Sequence, residues 1–222
     1  MSNQDSSNTT KKSTVYVALI TALAIIVGSV ILGIGGQTTT PEATPEAAPA
    51  VDLPNAGITE SNKATISFTT NQGEIVIETT PSLAPLTVNA IAALAQKNYF
   101  DKTICHRLTT EGIFVLQCGD PTGTGTGGPG FNIPDENLPE AVGNNYPAGT
   151  VAMANAGPGT SGSQFFLVYQ DTTLGPDYTI WGSITSGLDI LQTIASAGVV
   201  DGGADGTPAT GVTIESTKVT IS

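Results

Sequence analysis

Basic side chains are the scarcest chemistry in this chain. There are 7 Lys and Arg against 19 Asp and Glu, a net charge of -12 over 222 residues. Arg107 is the only arginine, and His106 beside it is the only histidine. So negative a field repels phosphate backbones, and nucleic-acid binding is not expected. One histidine and 2 cysteines cannot supply a four-ligand zinc site from those side chains alone, so neither metal nor cofactor is expected. Charged residues reach only 12%, whereas there are 26 Gly and 14 Pro. That balance disfavours a helical bundle and favours a compact, turn-rich, β-dominated domain with appendages.

The appendages come first. Residues 1–14 are polar and read as a cytoplasmic tail. Residues 15–36 carry no charge; about 22 residues at about 1.5 Å each cover a hydrocarbon core of about 30 Å. Lys11 and Lys12 precede this run and no Lys or Arg follows until Lys63. The charge bias places the N-terminus in the cytoplasm and the remainder outside the cell membrane, as a single-pass protein. A cleaved signal peptide is the rival, but its apolar region is shorter and its cleavage site closer. Residues 37–62 repeat Thr-Pro-Glu-Ala and read as a disordered, semi-extended tether.

The domain is expected over 63–222. Alternating stretches at 64–69 and 74–78 flank Asn71-Gln72-Gly73, a hairpin signal. Residues 81–98 place Val88, Ile91, Ala92 and Ala95 on one helical stripe, and 186–195 do the same with Leu188, Leu191 and Ala195. Residues 120–130 alternate Gly and Thr. They lack a phosphate-loop lysine and open no helix, so they read as a wide surface loop. Apolar strands follow at 149–154, around Phe166 and at 178–184, and residues 212–222 alternate as a closing strand. No strand pair alternates with a crossover helix. The expected fold is mainly β: a closed eight-stranded antiparallel barrel capped by two helices.

The scarce chemistry sits on one hairpin. Ile104, His106 and Leu108 alternate with Cys105 and Arg107, and residues 113–117 form the returning strand. There Val115 and Gln117 share one face and Phe114 and Leu116 the other, unless a bulge re-aims one of them. His106 is expected to lie inward as a hydrogen-bonded core histidine, and Trp181 to lie in the core. Cys105 and Cys118 fall near facing ends of the hairpin. Outside the cytoplasm they tend to pair, so a cross-strand disulfide and two inert buried thiols both stay open. A lone guanidinium here is either a surface salt bridge or a working group. A hydrolase built from Ser161 or Ser163 with His106 lacks a nucleophile elbow.

From about residue 64 to the end, several ordered motifs resemble the cyclophilin-type peptidyl-prolyl cis-trans isomerases. They are His106-Arg107, Phe114-x-x-Gln117-x-Gly119-Asp120, Met153-Ala154-Asn155-Ala156-Gly157-Pro158 and Gly162-Ser163-Gln164-Phe165-Phe166. The resemblance implies an eight-stranded barrel with a substrate groove on its outer face. It implies a catalytic role for Arg107, with Phe114 and Gln117. Phe114, Phe166 and Leu174 would wall a proline pocket, and Gln117, Ala154, Asn155 and Gln164 would align the peptide. Val115 stands where the family usually has methionine, Thr173 where tryptophan is frequent, and Tyr178 where histidine is common on the pocket rim. The change at Thr173 implies weak cyclosporin binding. The implied partners are proline-containing polypeptides outside the membrane, met by a monomer. A proline-peptide-binding chaperone module with little turnover is the alternative.

Overall fold

A computed structural model describes residues 52–222. The expected tail, the apolar run 15–36 and most of the tether lie outside the described residues. Among the described residues no helix is long and apolar enough to cross a membrane. The end of the stretch read as a tether belongs to the domain. Ile58 is buried, Leu53 and Ala56 pack on the core, and Asn89 clamps the Ile58 backbone through N–H (2.9 Å) and C=O (2.8 Å). A tether boundary at residue 62 is therefore too late. A side-chain amide in a helix supplies the partners that a repetitive sequence cannot announce.

Nine strands form one curled antiparallel sheet. They are β1 (Ala64–Thr70), β2 (Gly73–Thr79), β3 (Arg107–Thr109), β4 (Val115–Cys118), β5 (Thr150–Met153), β6 (Phe165–Val168), β7 (Ile180–Ser186), β8 (Asp205–Gly206) and β9 (Ile214–Ile221). Their order is β8-β3-β4-β6-β5-β7-β2-β1-β9. Two helices complete the fold, α1 (Pro85–Gln96) and α2 (Leu188–Ser196). The count is nine rather than the expected eight, because β8 arises inside a loop too short and Gly-rich to read as a strand. Regular ladders do not close the sheet. Instead the chain ahead of β3 bonds to the start of β9 and the residues just before it: Lys102 N donates to Ile214 O (2.7 Å), Ile214 N to Thr103 O (2.9 Å), and Cys105 N to Val212 O (3.0 Å).

The pleat separates two apolar layers. Inward residues Leu108, Leu116, Val151, Met153, Phe165 and Leu167 join the main core with Ile66, Phe68, Ile77 and Trp181. Each such aliphatic side chain contributes about 1.5–3 kcal/mol when fully buried. Phe68 stacks on Phe165 at 5.3 Å, and Phe100 and Trp181 meet Phe165 edge-on. Helix α1 covers this core with the expected stripe. It also buries Ala90, Ala93 and Leu94, since small side chains let it sink between its neighbours. Ala84, at its N-cap, has no capping group. Glu136 supplies one from a distant loop, accepting from Leu86 N (3.1 Å) and from Thr87 N and Oγ1 (both 2.8 Å).

Candidate active site

The outward face of β3, β4, β6, β5 and β7 carries a single cross-strand row. Arg107 faces Gln117, Gln117 faces Phe166, Phe166 faces Ala152, and Ala152 faces Ile180. Directly opposed residues share a face and come within reach of one another. One end of the row is therefore charged and the other apolar.

The apolar end is a second cluster on the outer side of the sheet. Val115, Tyr146, Ala152, Phe166 and Val168 are its buried members, with Ala154, Leu174, Tyr178 and Ile180 packed around them. Tyr178 meets Phe166 edge-on at 5.5 Å. Tyr146 beneath them accepts from Tyr178 N (3.1 Å) and sits 3.1 Å from Tyr178 O, and burial pushes its phenol up to about 12. Asn145 grips Leu174 through both N–H (3.0 Å) and C=O (2.9 Å). Neither Asn145 nor Tyr146 was expected; a polar residue that holds a loop backbone leaves no periodic signal.

Phe114 does not join this cluster. It precedes β4 and packs towards the main core, its ring 6.0 Å from Tyr169. It lines a separate cavity with Thr110, Gln170 and Gln192. Phe114, expected on the pocket wall, thus packs against the main core, while Val115 joins Phe166 and Leu174 in the outer cluster.

The polar end is a hydrogen-bonded relay. Asp205 at the start of β8 takes a fork from Arg107, Nε to Oδ1 at 2.8 Å and Nη2 to Oδ2 at 2.7 Å. Arg107 Nη1 donates to Gln117 Oε1 (3.2 Å), Gln117 Nε2 to Gln164 Oε1 (2.8 Å), and Gln164 Nε2 to Gly127 O (2.9 Å). The bond to Asp205 raises the Arg107 guanidinium and holds the Asp205 carboxyl below its usual range. Three contacts leave two of the guanidinium's five N–H groups without a protein partner among the described residues. The guanidinium therefore makes a surface salt bridge and still keeps donors to spare.

A cleft of about 790 Å³ continues the row beyond Gln117, between Ala154, Asn155 and Gln164 on one side and the 125–130 loop on the other. Asn155 is set by its own bonds, donating to Asp177 O (2.7 Å) and accepting from Gly157 N (3.2 Å). Asp120 builds the far wall. It is fully buried and accepts from Thr122 N and Oγ1, Thr124 N, Gly125 N and Gly127 N. Burial alone would raise this carboxyl. The bonds from Thr122, Gly127 and Gly125 outweigh it and hold the group well below the carboxylate range. A Cβ on Gly127 would stand 2.1 Å from Asp120 Oδ1, so glycine is required there.

Beneath the relay, Cys105 and Cys118 form a disulfide. This settles the alternative left open by the sequence. Cys105 is buried and Ile104 exposed, the reverse of the expected alternation, because β3 begins only at Arg107. His106 is half-buried, and neither ring nitrogen has a partner among the described residues. It is therefore not the hydrogen-bonded histidine expected. Burial lowers its pKa against the opposing pull of Asp120. Trp181 is fully buried, as expected. Ser161 and Ser163 are buried too, Ser163 Oγ donates to Gly119 O (2.7 Å), and neither serine bonds His106.

Comparison with known proteins bears on this geometry. The family model described as cyclophilin type peptidyl-prolyl cis-trans isomerase/CLD matches residues 65–219. The probable peptidyl-prolyl cis-trans isomerase B of Mycobacterium tuberculosis is 45% identical over 196 residues, covering 82% of this chain and 64% of that protein. The Mycobacterium leprae counterpart is 46% identical over 192 residues, covering 81% and 65%. The chain thus spans a little under two thirds of these relatives' length. A cyclophilin-type isomerase structure from Cryptosporidium parvum superposes with a TM-score of 0.62 at 30% identity, covering 71% of this chain and 98% of that one. The same protein solved in the presence of the dipeptide Ala-Pro gives 0.61.

Proposed function

Since the chain belongs to the cyclophilin-type peptidyl-prolyl cis-trans isomerase family, we propose that it accelerates cis/trans exchange of X–Pro bonds at the Arg107 row. One observation carries the reading: a guanidinium with two unspent N–H groups stands at the end of a row that runs through Gln117 to Phe166 and its apolar neighbours. Rotating an amide costs about 18–20 kcal/mol because the C–N bond has partial double-bond character. No proton transfer and no nucleophile are required. The catalyst must bind the twisted amide better than either planar form. Twisting localises a lone pair on the imide nitrogen. A fixed N–H then gains a partner that the ground state does not offer, and each 1.4 kcal/mol so gained is about tenfold in rate.

Val115, Phe166, Leu174 and Tyr178 hold the proline ring. Gln117, Ala154, Asn155 and Gln164 hold the flanking backbone along the cleft, so rotation falls on one bond. Phe114 acts at one remove, by packing behind Val115. The substrates are unfolded stretches of exported polypeptides, met on the outer side of the cell membrane. The charge-free run 15–36 following Lys11 and Lys12 supports that location. The test is exchange spectroscopy on an Ala-Pro-containing peptide with the full chain. Catalytic amounts speeding exchange well above the spontaneous rate support an isomerase. Saturable binding with exchange left at its spontaneous rate would convert the reading into a proline-peptide-binding chaperone module.

A further inference from the structure

The loop at 198–211 folds back on itself. Val199 bridges Pro208, Val200 N donates to Thr207 O (2.9 Å), and β8 lies along the outer edge of β3 with Asp205 opposite Thr109. Thr110 N donates to Ala204 O (2.8 Å), which ties the same loop to the turn after β3. The backbone of Asp205 is therefore fixed from two sides. Its carboxylate meets Arg107 as a two-bond fork.

Arg107 needs such a holder. Its side chain is 40% exposed, and its one other polar contact, the 3.2 Å bond to Gln117, fixes a single point. A guanidinium held at one point swings; held by a fork, its plane is defined. The fork occupies Nε and one hydrogen of Nη2. The unspent N–H groups remain on the edge away from Asp205.

Two effects of Asp205 oppose each other. Its negative charge offsets part of the cation, which would weaken attraction for a lone pair. Its geometry fixes where the remaining N–H groups point. The charge effect is screened, because the Asp205 side chain is itself 54% exposed. The orientation effect is not screened, and misplacing a catalytic group is costly in rate.

Resting on the isomerase reading above, we propose that Asp205 is the positioning residue that aims Arg107, so that the short strand β8 exists to present one carboxylate to the site. Asp205 makes no contact with the substrate and acts only through the guanidinium.

The experiment uses the full chain and four variants: Arg107→Ala, Asp205→Ala, Asp205→Asn and the Arg107→Ala/Asp205→Ala double. Exchange of a bound proline peptide and its Kd are measured separately by NMR. Asp205→Ala is expected to slow exchange by about tenfold while Kd moves less than about twofold. Asp205→Asn, which keeps the shape and one acceptor, falls between it and wild type. In the Arg107→Ala background, removing Asp205 adds no further loss. Asp205→Ala exchanging as fast as wild type, or faster, would overturn the proposal and show that charge outweighs aim. Equal losses in exchange and affinity, or an added loss without Arg107, would overturn it as well. A wild-type chain that leaves exchange at its spontaneous pace sinks the isomerase reading and this inference together. A catalytic wild type beside an unaffected Asp205→Ala sinks the inference alone.

Discussion

The two ends of the outer row are built on the same strands by different rules. At the apolar end Val115, Ala152, Phe166 and Val168 project from β4, β5 and β6, so the pleat alone brings them together. At the polar end register pairs Arg107 with Gln117, but Arg107 and Gln164 also take partners from elsewhere in the chain. Arg107 takes Asp205 from 98 residues away, and Gln164 takes the Gly127 carbonyl from 37 residues away. Strand register makes a pocket that is rigid and cheap to specify. Only long-range hydrogen bonds can aim a charge. The first end should therefore govern how tightly a proline is held, and the second how fast its bond turns.

The sharpest way to break that division is a pair of single variants. Arg107→Ala should slow exchange of a bound peptide by about 100-fold or more, the usual effect of losing one preorganised donor, with little change in Kd. Tyr178→Ala, which strips an aromatic wall from Phe166, should raise Kd by about tenfold and leave exchange in the bound state nearly intact. Measuring both quantities on both variants decides it. If each variant moved both by similar factors, the two ends would be one unit.

Comparable in size is the effect of the Cys105–Cys118 disulfide, which pins the hairpin under the polar end. A closed loop of this length is worth about 3 kcal/mol of stability. The Cys105→Ala/Cys118→Ala double variant should show that loss in urea denaturation. Its native state should lose exchange rate before it loses peptide affinity, because Arg107 and Gln117 are the site residues flanking the bridge. An unchanged urea midpoint would remove the disulfide from the account of the rim.

Acid should also reach the polar end first. His106 and Asp120 both have folded pKa values below their ordinary ones. Each therefore contributes stability that is complete above its unfolded value and is lost as pH falls through the folded one. For His106 the loss begins near pH 6.5; for Asp120 it begins only near pH 4. Stability measured against pH should decline in those two steps, and His106→Gln should abolish the first while sparing the second. A single step near pH 4 in the wild type would show that His106 binds a proton as readily in the folded chain as in the unfolded one.

What the sequence made legible follows the same division. Alternation places Val115 and Gln117 together and sends Leu116 the other way, as observed. Family resemblance puts Phe114 in the pocket, whereas its ring packs towards the main core beside Tyr169. Both helices were legible from their stripes. Asp205 was not: a carboxylate in a Gly-rich loop has no periodicity, and β8 becomes a strand only because β3 offers it an edge. The one available signal was the arithmetic of charge, since a solitary arginine in so acidic a chain must find a carboxylate somewhere. Ile104 and Cys105 were read on the wrong sides because alternation was extended back beyond the first residue of β3.

The smallest expected effect lies where the two ends do not meet. Thr173 is exposed at the mouth of the apolar end, and its hydroxyl accepts from Asn144 N at 2.8 Å. Thr173→Trp loses that bond, worth about 1 kcal/mol. It adds an indole with a large apolar face and an N–H donor. Because Asn145 holds the neighbouring Leu174 backbone by two bonds, the loop should keep its course around the larger side chain. Cyclosporin affinity should then rise by about tenfold in a calorimetric titration, while peptide exchange stays at the wild-type rate. Since Thr173 touches neither Arg107 nor Gln117, a change in exchange rate would mean that the apolar end feeds back on the aim of the guanidinium.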